Sequence, residues 1–323
     1  MKIAIFSDPH LGYARFEEDS YVQAECAIID ASNRADVIFC AGDIFDIKIP
    51  KLETLKRAVD IFNKATVPVY AIHGNHERRS KDLTGPAQLL ASSTDIVLLH
   101  GQSAIFEKNG ERVQLFGLGS VPEEYADSAL KKCMERFVPD PSGFKILMLH
   151  QSIKELMPDA EEEISLEYLD SLPFDLVING HIHKTIVDLG GRFLIPGSTV
   201  ITQLKKDEME SKGYFLYDTK TKTSEFVPIQ SRKFFYEELK FENASESEIK
   251  QKIKETIQRN RLSHPNCLVA IKLDGTLKDG LGHSDISLDS SEQYSDVFID
   301  NRLNLDTLHS KLEKIRLLRQ DNL

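Results

Sequence analysis

Paired cysteines are missing from this sequence. Cys26, Cys40, Cys133 and Cys267 lie far apart and form no C-x-x-C unit. That spacing suggests neither a zinc ribbon nor a disulfide framework, so all four are expected reduced and mostly buried, Cys40 in the core. Basic charge is short as well. Lys and Arg number 40 against 51 Asp and Glu, a formal net charge of −11, which argues against a protein that coats nucleic acid through basicity alone. A nuclease survives that test, because it needs only a local basic groove and its divalent cations invert the potential of an acidic site. No apolar run approaches the roughly 18 residues of a membrane span, and the opening Met1-Lys-Ile-Ala-Ile-Phe runs straight into a strand pattern. A cytoplasmic or nucleoid-associated protein without membrane contact is expected. Internal repeats and low-complexity tracts are also absent.

What is present is an alternation of short apolar runs and amphipathic stretches, which indicates an α/β sandwich. A strand is expected from Lys2 to Asp8, then a helix from Glu18 to about Ala35 whose buried stripe carries Val22, Cys26, Ile28 and Ile29. The run Ile38-Phe-Cys-Ala-Gly-Asp-Ile-Phe-Asp46 combines a buried strand, a turn glycine and two carboxylates. A second helix, Lys51 to Ala65, places Leu52, Leu55, Val59 and Phe62 on one stripe, and the strand Val67 to Ile72 follows. Further short strands are expected at Ile96 to Leu99, Ser103 to Glu107, Val113 to Gly119, Lys145 to Leu149 and Leu176 to Ile178. Closing antiparallel strands come at Phe193 to Ile195, Gly213 to Asp218 and Glu225 to Ile229. At 323 residues the chain exceeds the range in which one core usually keeps growing. Two domains, 1–230 and 231–323, are therefore expected. The second begins as a β-α-β module: a strand from Phe234 to Phe241, a helix from Ser245 to Asn260 with Ser245 and Ser247 as candidate caps, and a strand from Cys267 to Leu273. A polar loop from Asp274 to Ser295, a strand near Val297 and a helix from about Leu305 to Leu318 complete it.

The chemistry-bearing residues fall at the ends of the apolar runs: Asp8 and His10, Asp43 and Asp46, Asn75 and His76, His150, then His181 and His183. Ligands sit outside the carboxyl ends of strands in open α/β sheets, so all of these can meet at one edge. Carboxylate, carboxamide and imidazole together suit Mn²⁺, Fe²⁺ or Zn²⁺ better than Mg²⁺, and no thiolate is there to favour a structural zinc. Two such metals, ~3.5 to 4 Å apart, clamp the attacking and leaving oxygens of a phosphate ester. Phosphoester hydrolysis is the expected reaction.

The series D-x-H, G-D-x-x-D, G-N-H-E/D, H and G-H-x-H is complete and in order over Asp8 to His183. It resembles the calcineurin-like metallophosphoesterase superfamily, which implies a metallophosphoesterase β-sandwich flanked by helices. The resemblance implies one metal held by Asp8, His10, Asp43 and His183, and another held by Asp43, Asn75, His150 and His181. It also implies that His76 is no ligand, but faces the scissile phosphate, stabilises the transition state and helps protonate the leaving oxygen. Within the superfamily, Ser7-Asp-Pro-His-Leu-Gly-Tyr13, Gly42-Asp-Ile-Phe-Asp46 and Pro196-Gly-Ser198 look like the Mre-eleven and SbcD nucleases of DNA double-strand-break repair. The module after residue 230 is similar to that family's capping domain. The implied protein is a manganese-dependent 3′-to-5′ exonuclease and single-strand endonuclease, acting on duplex ends and single strands as a homodimer with a Rad-fifty type ATPase. Family members usually continue into an ATPase-binding helical segment; this chain stops at Leu323, which puts that contact in question.

Two rivals stand beside this: a small-nucleotide phosphodiesterase or phosphatase of the same superfamily, and a scaffold without activity. Protein phosphatases of the superfamily carry Arg-Gly after the second motif, where Ile47-Lys48 stands here, and intact Asp8, Asp43, Asn75 and His76 speak against a scaffold. Asp46 is expected to orient a ligand histidine, not to bind metal itself. Arg15, Lys48, Arg78, Arg79 and Lys81 follow the motifs and are candidates for DNA phosphates, with a solvated loop as the alternative. His73, His100, His264, His283 and His309 are expected to be structural or surface residues, although His73 is close enough to Asn75 to orient a ligand.

Overall fold

The computed structural model describes residues 1–80, 82–157, 164–278 and 296–305. They divide into two compact units, one formed by Met1–Thr202 with Ser211–Ser231, the other by Gln203–Glu210 with the residues from Arg232 onward. Among the described residues no helix is long and apolar enough to cross a membrane. Cys40 and Cys267 are buried and Cys26 and Cys133 half-buried, all four as free thiols.

In the first unit β1 (Lys2–Phe6) leads to α1 (Glu17–Arg34), β2 (Val37–Cys40), α2 (Leu52–Phe62), β3 (Val69–Ala71), α3 (Pro86–Ser93) and β4 (Val97–Leu98). The hairpin β5 (Gln102–Lys108) and β6 (Glu111–Leu118) follows. Then come α4 (Ala126–Met134), β7 (Phe144–Leu149), α5 (Leu166–Ser171), β8 (Leu176–Asn179), β9 (Ile186–Asp188), β10 (Phe193–Ile195), β11 (Gly213–Asp218) and β12 (Thr223–Pro228). These strands form two six-stranded sheets, in the orders β12-β11-β1-β2-β3-β4 and β5-β6-β7-β8-β10-β9. Both are mixed: β1, β2, β3 and β4 pair in parallel, while β11 joins β1 antiparallel with Ile5 opposite Phe215.

The period-2 alternation of strand side chains explains the layering. Ile3, Ile5, Val37 and Phe39 face the second sheet and pack with Leu115, Ile146, Met148 and Ile178. Their alternates Ala4, Phe6, Ile38 and Cys40 face α1 and α2, against Tyr21, Ala24, Ile28 and Ile61. On the far side, Phe116, Leu147, Leu149 and Val177 cover Leu130 of α4 and Leu169 of α5. Strands buried on both faces read as unbroken apolar runs, as VIFC and KILML do.

The helical stripes differ from those expected. In α1, Val22 and Ile29 are exposed, and the buried face is Ser20, Tyr21, Gln23, Ala24, Ala27, Ile28, Ala31 and Ser32. Three alanines let this helix lie close to the sheet, and Ser20 is satisfied locally by donating to Glu17 O and accepting from Gly12 N. Large apolar side chains are therefore a poor guide to its inner face. In α2, Leu52 is exposed, and Thr54, Ala58, Ile61 and Phe62 point inward with Leu55 and Val59 beside them.

In the second unit β13 (Phe234–Ala244), α6 (Glu246–Ser263), β14 (Leu268–Leu277) and β15 (Val297–Leu305) build a parallel three-stranded sheet in the order β13-β14-β15. Ile249, Ile253 and Ile257 of α6 pack on Val269, Ile271 and Leu273. Ser245 caps the helix, its hydroxyl accepting from Glu248 N while Glu248 accepts from Ser245 N. Leu305 ends β15, where a helix was expected to begin; the rest of that helix, most of the polar loop before β15, Lys81, His283 and His309 lie outside the described residues.

Candidate metal centre

Five loops at the carboxyl ends of β1, β2, β3, β7 and β8 bring the motif residues together. The first two are zipped to each other beyond the sheet: Asp8 N donates to Gly42 O at 3.0 Å, His10 N to Asp43 O at 3.0 Å, and Leu11 N to Ile44 O at 2.8 Å. Their backbones are strained, with Asp8 at φ 52°, His10 at φ 44°, Asp43 at φ 47° and His181 at φ 73°. Left-handed conformations of non-glycine residues cost energy and persist only where the surroundings over-determine them. Gly74 matters for a different reason. A Cβ there would lie 1.9 Å from Asp43 Oδ1 and 2.4 Å from Asp43 N, so only glycine lets the β3 loop pass this carboxylate.

Asp8, His10 and His183 offer ligand atoms all within 4.8 Å of one another, and so do Asp8, Asp43 and His150. His10 Nε2 and His183 Nε2 are 3.1 Å apart. Asp8 Oδ1 lies 3.9 Å from the former, 3.7 Å from the latter and 4.0 Å from His150 Nε2. His150 Nε2 is also 3.3 Å from Asp43 Oδ2 and 3.1 Å from Asn75 Oδ1, and His181 Nδ1 is 2.9 Å from that same amide oxygen. Asp43 lies between the two groups.

Proton counting shows why cations suit this cluster. His150 Nδ1 donates to Ala41 O at 2.7 Å, so a neutral ring turns the lone pair of Nε2 inward. Asp8 Oδ1 is buried with no hydrogen-bond partner. Burial pushes Asp8 up to about 6, with the charge of Asp43 adding to it and His150 opposing it. Burial disfavours a charged His150, yet Asp43 and Asp8 drive it up to about 9. Burial likewise works against the Asp43 carboxylate, but His150, with His10 and His76, holds it well below the ordinary range. His181 is pushed down to about 4, chiefly by burial, and His183 falls further for the same reason. Converging oxygen and imidazole lone pairs, with a buried carboxylate oxygen left unpartnered, are what two divalent ions would satisfy.

The remaining candidates take distinct places. Asp46 Oδ1 is 3.3 Å from His10 Nδ1, an ion-pair separation. His76 stands at the surface of the cluster with its ring edge-on to His10, 4.8 Å between centroids. Its backbone N donates to Asp43 Oδ1 at 2.9 Å and its Nδ1 to Asp46 O at 2.8 Å, which leaves Nε2 open. Arg78 borders a cleft of about 520 Å³ that Asn75, His181, Ser152 and Glu123 also line, and it donates to Ser120 Oγ at 3.1 Å. Arg79 donates to the carbonyl of Thr84 at 2.9 Å, tying its own loop. Arg15 and Lys48 are exposed. His73 is buried, its ring 4.8 Å from that of His100 and its Nδ1 3.3 Å from Gly74 O.

Two buttresses were not anticipated from the sequence. Glu77 is buried and accepts from Phe45 N at 2.8 Å and Gly74 N at 2.9 Å, bracing the loop of Asp43 against that of Asn75 and His76. Burial, then the charge of Asp43, pushes its carboxyl up to about 7 against these amides. Asn179 does the same for the loops of His150 and His181, accepting from Gln151 N and donating to Gln151 O. Glu77 closes the G-N-H-E motif and Asn179 immediately precedes G-H-x-H, but their bracing partners lie in other loops. Glu77→Ala strands two buried N–H groups and should cost about 2 kcal/mol; denaturant melts and Mn²⁺ titration of the variant would show lower stability together with weaker metal binding.

A helix-flanked β-sandwich with oxygen and imidazole ligands at its strand ends defines a metallophosphoesterase, and the calcineurin-like phosphoesterase family model matches residues 1–185. The chain belongs to that family. Among curated proteins it is 27% identical to the double-strand break repair protein MRE11 of Encephalitozoon cuniculi, over 81% of this chain and 53% of that one. It is 29% identical to the DNA double-strand break repair protein Mre11 of Methanocaldococcus jannaschii, over 68% of this chain and 62% of that one. With the Mre11 of Sulfurisphaera tokodaii the identity is 27%, over 97% and 84%. The chain thus spans between half and two thirds of the length of the first two relatives.

Proposed function

We propose that this protein is a two-metal DNA nuclease of the double-strand-break repair type, with Mn²⁺ as the first candidate ion. The observation that carries the proposal is the convergence of seven ligand side chains from five strand ends beside an exposed His76. Asp8, His10, Asp43 and His183 would hold one ion, and Asp43, Asn75, His150 and His181 the other. Bound there, the pair would act as Lewis acids on a phosphodiester and activate water. The chain's own residues supply the rest. Asp43 would span both sites, Asp46 Oδ1 stands 3.3 Å from His10 Nδ1, and the contact of His76 Nδ1 with Asp46 O leaves Nε2 as the nitrogen that would donate to the departing oxygen. Arg78 lies on the cleft and is the best placed of the described basic candidates to meet a backbone phosphate.

The names of the relatives support DNA as the substrate, with exonuclease action on duplex ends and endonuclease action on single strands as the specific expectation. A capping and DNA-binding role for residues 231–323, a homodimer and a Rad50-type ATPase partner belong to the same proposal. The deciding experiment incubates purified protein and Mn²⁺ with end-labelled duplex and single-stranded DNA, cyclic nucleotides and a phosphopeptide, with an EDTA-treated control. Metal-dependent shortening of DNA is expected. Intact DNA alongside rapid turnover of a small phosphate ester would defeat the nuclease assignment.

A further inference from the structure

The outward nitrogens of two clustered imidazoles have hydrogen-bond partners of their own, Ala41 O for His150 and Thr202 Oγ1 for His183, while that of His10 lies 3.3 Å from the Asp46 carboxylate. For His181 the partner is a two-residue chain. Its Nε2 is 3.2 Å from Ser152 Oγ, and Ser152 Oγ is 3.1 Å from Glu123 Oε1. Ser152 is 3% exposed. Glu123 sits at the surface on a 3-10 turn, Glu123–Tyr125, at the edge of the cleft.

A serine hydroxyl carries one hydrogen, and a carboxylate only accepts. Ser152 therefore spends its hydrogen on Glu123, so its contact with His181 requires Nε2–H to donate to Oγ. That places the lone pair of the neutral ring on Nδ1, the atom 2.9 Å from Asn75 Oδ1 on the cluster side. The opposite tautomer has a local attraction of its own: with the proton on Nδ1, His181 would donate to Asn75 Oδ1 and close the position to a cation. Without Glu123 the Ser152 hydroxyl is free to turn and donate to Nε2, which favours that closed form.

We infer that Glu123, acting through Ser152, is a positioning pair that fixes His181 in the Nε2–H tautomer and so keeps one of the two metal positions open. The inference rests on the two-metal assignment and deepens it. Partners of this kind typically change metal affinity by about 10–100-fold when removed.

The test combines Mn²⁺ titration by calorimetry with ¹⁵N NMR of the imidazoles in metal-free protein, on the full chain. Wild type should take up two ions and show Nε2–H at His181. Ser152→Ala and Glu123→Ala should retain one ion at wild-type affinity, weaken the other by about 10–100-fold, and shift the ring proton to Nδ1. Glu123→Ala alters an exposed side chain, so its fold is not at issue. Glu123→Gln keeps an accepting oxygen and Ser152→Thr keeps the hydroxyl, and both should restore binding and tautomer. Two tight ions and an unchanged Nε2–H in both alanine variants would overturn the pair while leaving the metal centre standing. Glu123→Gln behaving like Glu123→Ala would assign the effect to charge and also overturn it. A wild-type chain that takes up fewer than two ions would remove the metal assignment itself, and this inference with it.

Discussion

Asp43→Ala is expected to bind neither metal ion tightly and to lose phosphoester cleavage by more than about 10³-fold, beyond the usual effect of deleting one electrostatic stabiliser. The expectation follows from position. Asp43 Oδ2 faces His150 Nε2 at 3.3 Å and His10 Nε2 at 3.9 Å, so one carboxylate serves both groups of ligands. Its Oδ1 also receives the backbone N of His76, so its loss frees the loop that carries the residue proposed to protonate the leaving oxygen. Folding should suffer far less. Alanine at φ 47° costs about 1–2 kcal/mol, but the substitution also relieves the crowding of Asp43 with Asp8 and Glu77, whose carboxyls it pushes up. Metal content after gel filtration, thermal melts of metal-free protein and DNA cleavage would check all three parts. An Asp43→Ala protein that still binds two ions would remove the bridging role.

His76→Ala should give the complementary result: both ions retained at near wild-type affinity, and turnover lowered by about 10²–10⁴-fold. The His76 side chain is 41% exposed, and its ring makes one hydrogen bond, to Asp46 O, beside an Asp46 carboxylate oxygen at 3.7 Å, so the stability change should stay near 1 kcal/mol. The chemical role can be separated from simple positioning by varying the leaving group. A nitrophenolate leaves without protonation, so the defect should shrink on a nitrophenyl phosphodiester compared with DNA. Equal defects on both substrates would rule out proton donation by His76, and unchanged cleavage would remove it from the mechanism altogether.

The metal cluster could be read from the sequence because each piece is local. Asp8, Asp43, Asn75, His150 and His181 each come within four residues of the end of an apolar strand, and the parallel strands of the two sheets end at one edge. The buttresses could not be read that way. Glu77 braces Phe45, 32 positions earlier in the chain, and nothing in its neighbourhood announces that partner. The same holds for Ser152 and Glu123, which meet only because the turn before α4 folds over the end of β7. The inner face of α1 was misread for a packing reason: close approach to the sheet selected alanine and serine, while Val22 and Ile29 face outward. The β9 strand is half-exposed and three residues long, too short for an alternation to register.

The placement of β1 in the middle of its sheet has a consequence for biosynthesis. One edge of β1 is covered by β2, which is translated soon afterwards, but the other waits for β11, about two hundred residues later. At ribosomal speeds of about 5–20 residues per second, that is a delay of roughly 10–40 s. Throughout it an apolar strand keeps an open hydrogen-bonding edge, a hazard for pairing with other nascent chains. Asp8 and His10 leave the ribosome well ahead of His181 and His183, so the complete set of candidate ligands exists only once more than half of the chain has been made.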